Sequence, residues 1–200
     1  MRTKHLPADE RRAVTVEAVL ELAAHQNPSD ITTTAIARHM GVTQGALFRH
    51  FPSKEAILES VMDWVADRLL ARIDKAAHGA PGPLEALDAM FMAHVAFFVE
   101  NPGVPRMLFG ELQRAEMTAP KRMAHKMLHR YRERLVTVIE DGKASGQLSP
   151  GINTASVSTL FIGMIQGLVM QSLLAGDVQL IRKEAPGVFS LFRLAIEVRV

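Results

Sequence analysis

The sequence predicts an all-α chain: a small N-terminal three-helix unit that contains a helix-turn-helix, then a larger helical region. Three observations carry this. Apolar residues recur at spacings of three and four along most of the 200 residues, as one face of a helix requires. Clusters of proline, glycine and asparagine at 27–30, 78–83, 101–103 and 146–151 punctuate that pattern. Residues 31 to 54, ITTTAIARHMGVTQGALFRHFPSK, hold two short helical patterns that meet at a glycine.

Residues 1 to 7 read as a loose basic arm, more a frayed terminus than a minor-groove reader. Pro7 suits a first helical turn, and Asp9 and Glu10 favour its positive end. Ala13, Val16, Leu20 and Ala23 then line one face, which is expected to cover the helix-turn-helix. Asn27-Pro-Ser-Asp30 ends this helix, because a residue before proline avoids the helical conformation. Thr32 is an N-cap for a helix over 33–40, with Ile36, Ala37 and Met40 on its apolar side. Gly41 enters the left-handed conformation that stops it, and Thr43 caps a second short helix to about residue 50. In a helix-turn-helix the second helix enters the DNA major groove with its N-terminal residues leading.

Ser53 caps a long helix over 54–77, striped by Ile57, Val61, Val65, Leu69 and Ile73, with Trp64 at the stripe's edge. Further helices are expected over 84–100, 105–116, 121–145, 154–175 and, last, 186–198. The helix over 154–175 carries no charge, and none occurs between Lys143 and Asp177. Ser156, Ser158, Thr159, Gln166, Gln171 and Ser172 interrupt it too often for a membrane span. A helix apolar on most sides is otherwise buried on two. Gly163 and Gly167 form a groove for close helix approach, flanked by Gln166 and Met170, so the second partner is expected to be the same helix of another subunit.

The stretch Gly41-Val-Thr-Gln-Gly-Ala-Leu-Phe-Arg-His-Phe-Pro-Ser-Lys-Glu-Ala-Ile-Leu58 closely resembles the DNA-binding signature of the TetR family of bacterial transcriptional regulators. The appended Phe-Pro-Ser-Lys that opens a long helix makes the resemblance specific. It implies a DNA-binding domain at 1–53 and a helical effector-binding and dimerisation domain at 54–200. Carried over residue by residue, it places phosphate contacts at Thr33, Thr43, His50 and Lys54, and base edges against Thr34, Gln44, Gly45 and Ala46. Phe48 departs from the usual tyrosine and loses a hydroxyl that could bond phosphate. Thr34 is short for a position that can carry arginine, which leaves Gln44 as the main long hydrogen-bonding side chain. The resemblance further implies a homodimer on a pseudo-palindromic double-stranded operator, released when a small effector shifts the helix over 54–77.

Phe91, His94, Phe98, Met107, Glu111, Met127 and Tyr131 are the candidate effector contacts. A wall of phenylalanine and methionine with a few polar groups suits a small apolar or amphipathic molecule, and equally an ordinary helical core. The 11 methionines fit both. The rival function within the same fold is a DNA-organising or division-linked protein without a small-molecule inducer.

Composition narrows the remainder. Lys plus Arg is 23 and Asp plus Glu 21, a net charge of +2, so DNA contact must come from local placement. The absence of cysteine removes disulfides, thiol chemistry and cysteine-ligated zinc. His125 and His129 have metal-ligand spacing but sit among Arg122, Lys126 and Arg132, which disfavour a bound cation. No cofactor is expected. No catalytic triad, carboxylate pair or phosphate loop stands out, so the chain is not expected to be an enzyme. The N-terminus lacks the apolar core of a signal peptide, and a cytoplasmic protein is expected.

Overall fold

The computed structural model describes residues 8–198, and every regular element among them is helical. The expected arm at 1–7, with Pro7, lies outside the described residues. The chain divides into two compact units: the described residues up to 66 with Asn101–His125, and Asp67–Glu100 with the described residues from 126 onward. This division runs through the middle of the long fourth helix, whereas the functional boundary read from the sequence falls at Lys54.

In the first unit, α1 (Ala8–His25) buries Val16, Val19, Leu20 and Ala23. A single 3-10 turn at Pro28–Asp30 leads to Ile31, which is buried. The Thr32 hydroxyl accepts from the Ala35 N–H at 3.1 Å and starts α2 (Thr33–His39). Gly41 has φ +67°, so the left-handed stop lies where the sequence puts it. The Thr43 hydroxyl accepts from the Ala46 N–H at 3.1 Å and starts α3 (Gln44–Phe48). This helix ends before residue 50, because Phe51 precedes Pro52 and the chain must leave the helical conformation in time. Ser53 caps α4 (Lys54–His78) through the Ala56 N–H at 3.1 Å.

The unit is completed by α6 (Gly103–Leu112) and the first residues of α7 (Ala119–Ala144). The sequence predicts a helix over 105–116 instead. It begins two residues earlier because Pro105 fits the third position, where an N–H lacks a helical partner anyway. It ends four residues earlier, and the Thr118 hydroxyl then accepts from the Lys121 N–H to open α7. Gly103 lies flush on α1: a Cβ there would overlap the Leu20 carbonyl oxygen and come within 3.2 Å of the Ala24 nitrogen.

The second unit holds α5 (Pro83–Glu100), α8 (Thr154–Ala175), α9 (Gln179–Ile196) and the remaining parts of α4 and α7. Its core is aromatic. Phe91 meets Phe161 edge-on at 5.5 Å and Phe189 at 5.4 Å, and Phe161 meets Phe192 at 5.7 Å. Arg134 of α7 donates from Nε (2.5 Å) and Nη2 (2.8 Å) to the two carboxylate oxygens of Asp74 on α4. That pairing holds the Asp74 carboxyl below its ordinary range. α8 follows its sequence limits: Asn153 caps it through the Ser156 N–H, and Gly176 closes it at φ +67°.

α9 corrects the sequence reading, which starts the last helix at Pro186. It begins at Gln179, whose N–H donates to Asp177 at 2.9 Å, and runs through the proline. The buried positions Ile181, Ala185, Phe189, Phe192 and Ile196 form one continuous face, and Pro186 points to solvent on the other. The apolar face outweighs the one backbone bond that proline removes.

Candidate functional site

The helix-turn-helix presents its candidate residues as one outward set over a buried floor. Ile36, Ala37, Leu47 and Phe51 are buried beneath it. Thr34, Thr43, Gln44, Gly45 and Phe48 are exposed, while Thr33, Ala46, His50 and Lys54 are half-buried. Two caps of the same kind, Thr32 and Thr43, set the entry angles of α2 and α3. α3 thereby begins with Gln44, Gly45 and Ala46, small or flexible side chains that let a backbone approach closely. Phe48, a large apolar residue, is 42% exposed at this face.

Two interactions at this face are not visible in sequence. The Gln44 amide donates from Nε2 to the Thr33 hydroxyl oxygen at 2.7 Å, joining the first residues of α2 and α3. The Lys54 ammonium lies 3.4 Å from the Ser29 carbonyl oxygen, at the edge of a groove of about 370 Å³ in the same unit. Arg38 and Arg49 are also exposed, near the C-terminal ends of α2 and α3. The resemblance does not single them out, although their charge is a signal that could have done so.

The candidate effector residues divide between the two units. Phe91, His94, Phe98, Met127 and Tyr131 are buried together in the second. The His94 ring lies tilted against Phe98, with centroids 4.6 Å apart, and 5.3 Å from Tyr131. Its Nδ1 pairs with the Tyr131 hydroxyl at 3.3 Å, and its Nε2 has no partner among the described residues. Burial drives the His94 pKa down to about 3 and pushes the Tyr131 phenol up, so both are neutral at pH 7. Met107 and Glu111 belong to the first unit instead, where they line the groove beside Lys54, Leu58 and Met62. Glu111 accepts there from the Thr118 hydroxyl at 3.1 Å and lies 3.8 Å from Arg114.

The candidate interface residues share the outer face of α8. Gly163, Gln166 and Met170 are exposed and Gly167 is half-buried; a Cβ on either glycine would meet nothing within 4 Å among the described residues. The inner face carries Phe161, Ile165 and Leu168 into the core. Among the described residues α8 is the one helix long and apolar enough to cross a membrane. Leu174 (81% exposed), Leu191 (70%) and Leu194 (57%) extend the apolar outer surface over α8 and α9. His125 and His129 are exposed, and His129 faces Glu133.

Residues 16–61 match the family model for bacterial regulatory proteins of the tetR family. Residues 116–185 match the tetracyclin repressor-like C-terminal domain, so the two matches span more than half of the chain. The nucleoid occlusion factor SlmA of Marinomonas sp. (strain MWYL1) is 24% identical over 161 residues, 80% of this chain and 82% of that protein. Among solved structures, the fatty acid degradation regulator FadR from Bacillus halodurans superposes with a TM-score of 0.83 at 17% identity, covering 96% of this chain and 97% of that one. The transcriptional regulator FadR from Bacillus subtilis, in complex with stearoyl-CoA, gives 0.80 at 18% identity, covering 90% and 96%.

Proposed function

The chain belongs to the TetR family of bacterial transcriptional regulators, and from that premise we propose that it is a dimeric repressor released from its operator by a small molecule. The observation that carries the reading is the helix-turn-helix face, where exposed Thr34, Gln44 and Gly45 stand on a buried floor and caps fix both helices. In this reading Gln44 and its neighbours meet base edges, while Thr33, Thr43, His50 and Lys54 hold phosphates. Phosphate contacts position the protein, and base contacts choose the sequence.

The second copy packs on the outer face of α8 and α9. Exposed Leu174, Leu191 and Leu194 supply apolar area, and Gly163 and Gly167 admit a facing helix. The effector enters the aromatic cluster around His94. Its neutral ring, with one nitrogen unpartnered, favours an apolar or amphipathic molecule that brings one hydrogen-bonding group. That class is compatible with the acyl-thioester ligand of the structurally similar FadR from Bacillus subtilis. The family and its structural neighbours are regulators rather than enzymes.

A second reading is a DNA-organising protein without inducer. The relatives named nucleoid occlusion factor SlmA favour it. One titration separates the two: acyl-CoA and free fatty acid are added to the protein on its operator while Trp64 emission and DNA anisotropy are followed. Release by a ligand that also shifts the emission supports the repressor. A ligand that binds among Phe91, His94, Phe98 and Met127 yet leaves operator affinity unchanged refutes it.

A further inference from the structure

The bond between Gln44 and Thr33 bears on which base the recognition helix reads. Gln44 is the first residue of α3 and Thr33 the first of α2, and both flank the outward face. The Gln44 Nε2 donates to the Thr33 oxygen at 2.7 Å although Gln44 is exposed. A free glutamine at a surface samples many rotamers and must be ordered before it can form two bonds at once. The bond to Thr33 does that ordering in advance. It also fixes which end of the amide faces which way.

We infer that Thr33 is a positioning residue that holds the Gln44 amide ready to read adenine in an A·T pair. The inference rests on the reading that α3 meets DNA. One N–H of the Gln44 amide is taken by Thr33, so one N–H and the Oε1 carbonyl are left. Adenine offers the matching pattern in the major groove, N7 as acceptor and the N6 amino group as donor. Guanine offers two acceptors there, N7 and O6, and would leave Oε1 against an oxygen. Thr33 accepts from Gln44 through its oxygen, which leaves its own hydroxyl hydrogen for a phosphate. Its assignment as a phosphate contact and its positioning role are therefore compatible, and they separate in their effects on specificity.

The test uses the full-length protein and randomised duplex DNA. Sites selected by the unaltered protein should carry A·T at one position of each half-site. Anisotropy is then measured on the selected site and on its three single-pair variants at that position. Gln44→Ala should abolish the preference there. Thr33→Val should lower it by about fivefold or more while preferences elsewhere stand, and Thr33→Ser should restore it. The double variant Thr33→Val with Gln44→Ala should discriminate no less than Gln44→Ala alone, because the threonine acts through the glutamine. Thr33→Val that weakens all sequences equally, with the preference intact, overturns the positioning role. A Gln44-dependent preference for G·C overturns the adenine assignment. Failure of the unaltered protein to select any sequence overturns the DNA reading itself, before any variant is made.

Discussion

His94→Phe tests the buried core of the second unit through pH. His94 is 6% exposed, and burial places its pKa near 3. An unfolded chain's histidine titrates near 6.5. Between these values the unfolded chain takes up a proton at this position and the folded one does not. The folded state therefore loses stability as pH falls from about 6.5 toward 3, and each unit in that window is worth about 1.4 kcal/mol. From pH 7.5 to pH 5.0 the loss from this one ring is about 2 kcal/mol. Phenylalanine keeps an aromatic ring beside Phe98 and Tyr131 but has no proton to take up. At neutral pH the exchange removes the unpartnered Nε2 and strips the Tyr131 hydroxyl of its partner, two changes of about 1–3 kcal/mol each and of opposite sign. The two changes offset in part at neutral pH, and the pH dependence of the difference is the signal. The other histidines occur in both proteins and cancel. Urea unfolding at pH 7.5 and 5.0, at one fixed protein concentration, should show the variant gaining about 2 kcal/mol on the unaltered protein at the lower pH. An equal difference at both pH values would refute the buried, neutral imidazole.

Three further variants address separate parts of the molecule. Gly103→Ala places a methyl into the α1 backbone at Leu20 and Ala24, which cannot yield as a side-chain tip can; a loss of about 1–3 kcal/mol or more is expected in thermal unfolding, and an unchanged midpoint would remove the close approach. Lys54→Ala should weaken binding to all duplexes alike and reduce the slope of log affinity against log salt by about one unit for each phosphate no longer neutralised; a change in base preference would contradict a phosphate role. Leu191→Lys combined with Leu194→Lys puts charge on the exposed face of α9 and should convert dimer to monomer in sedimentation, with operator affinity falling alongside; an unchanged dimer moves the interface elsewhere.

What can be read in the sequence is local. The caps at Thr32, Thr43 and Ser53 and the stop at Gly41 each act over one turn, so α2 and α4 lie almost where their residues place them. Pro186 misleads because its local preference gives way to a long apolar face from Ile181 to Ile196, a tertiary effect. The candidate effector residues show the same limit. Phe91, His94 and Tyr131 stand on apolar helix faces and do come together, yet Met107 and Glu111, picked out on the same grounds, belong to the other compact unit. Helical periodicity tells which side of a helix is buried and is silent on what lies opposite. The bond between Thr33 and Gln44, eleven positions apart, depends on how α2 and α3 cross and leaves no trace in composition or spacing.

A dimeric regulator of this fold brings two copies of α3 to two half-sites of one operator, and that is where the proposed function stands or falls. DNase footprinting with full-length protein on a selected duplex, with the mass of the complex determined in parallel, tests it most directly. The expected result is a two-fold symmetric protected site, occupied by an even number of chains, with half-site centres one helical turn of about 34–36 Å or a multiple apart. A single asymmetric half-site covered by one chain would contradict it.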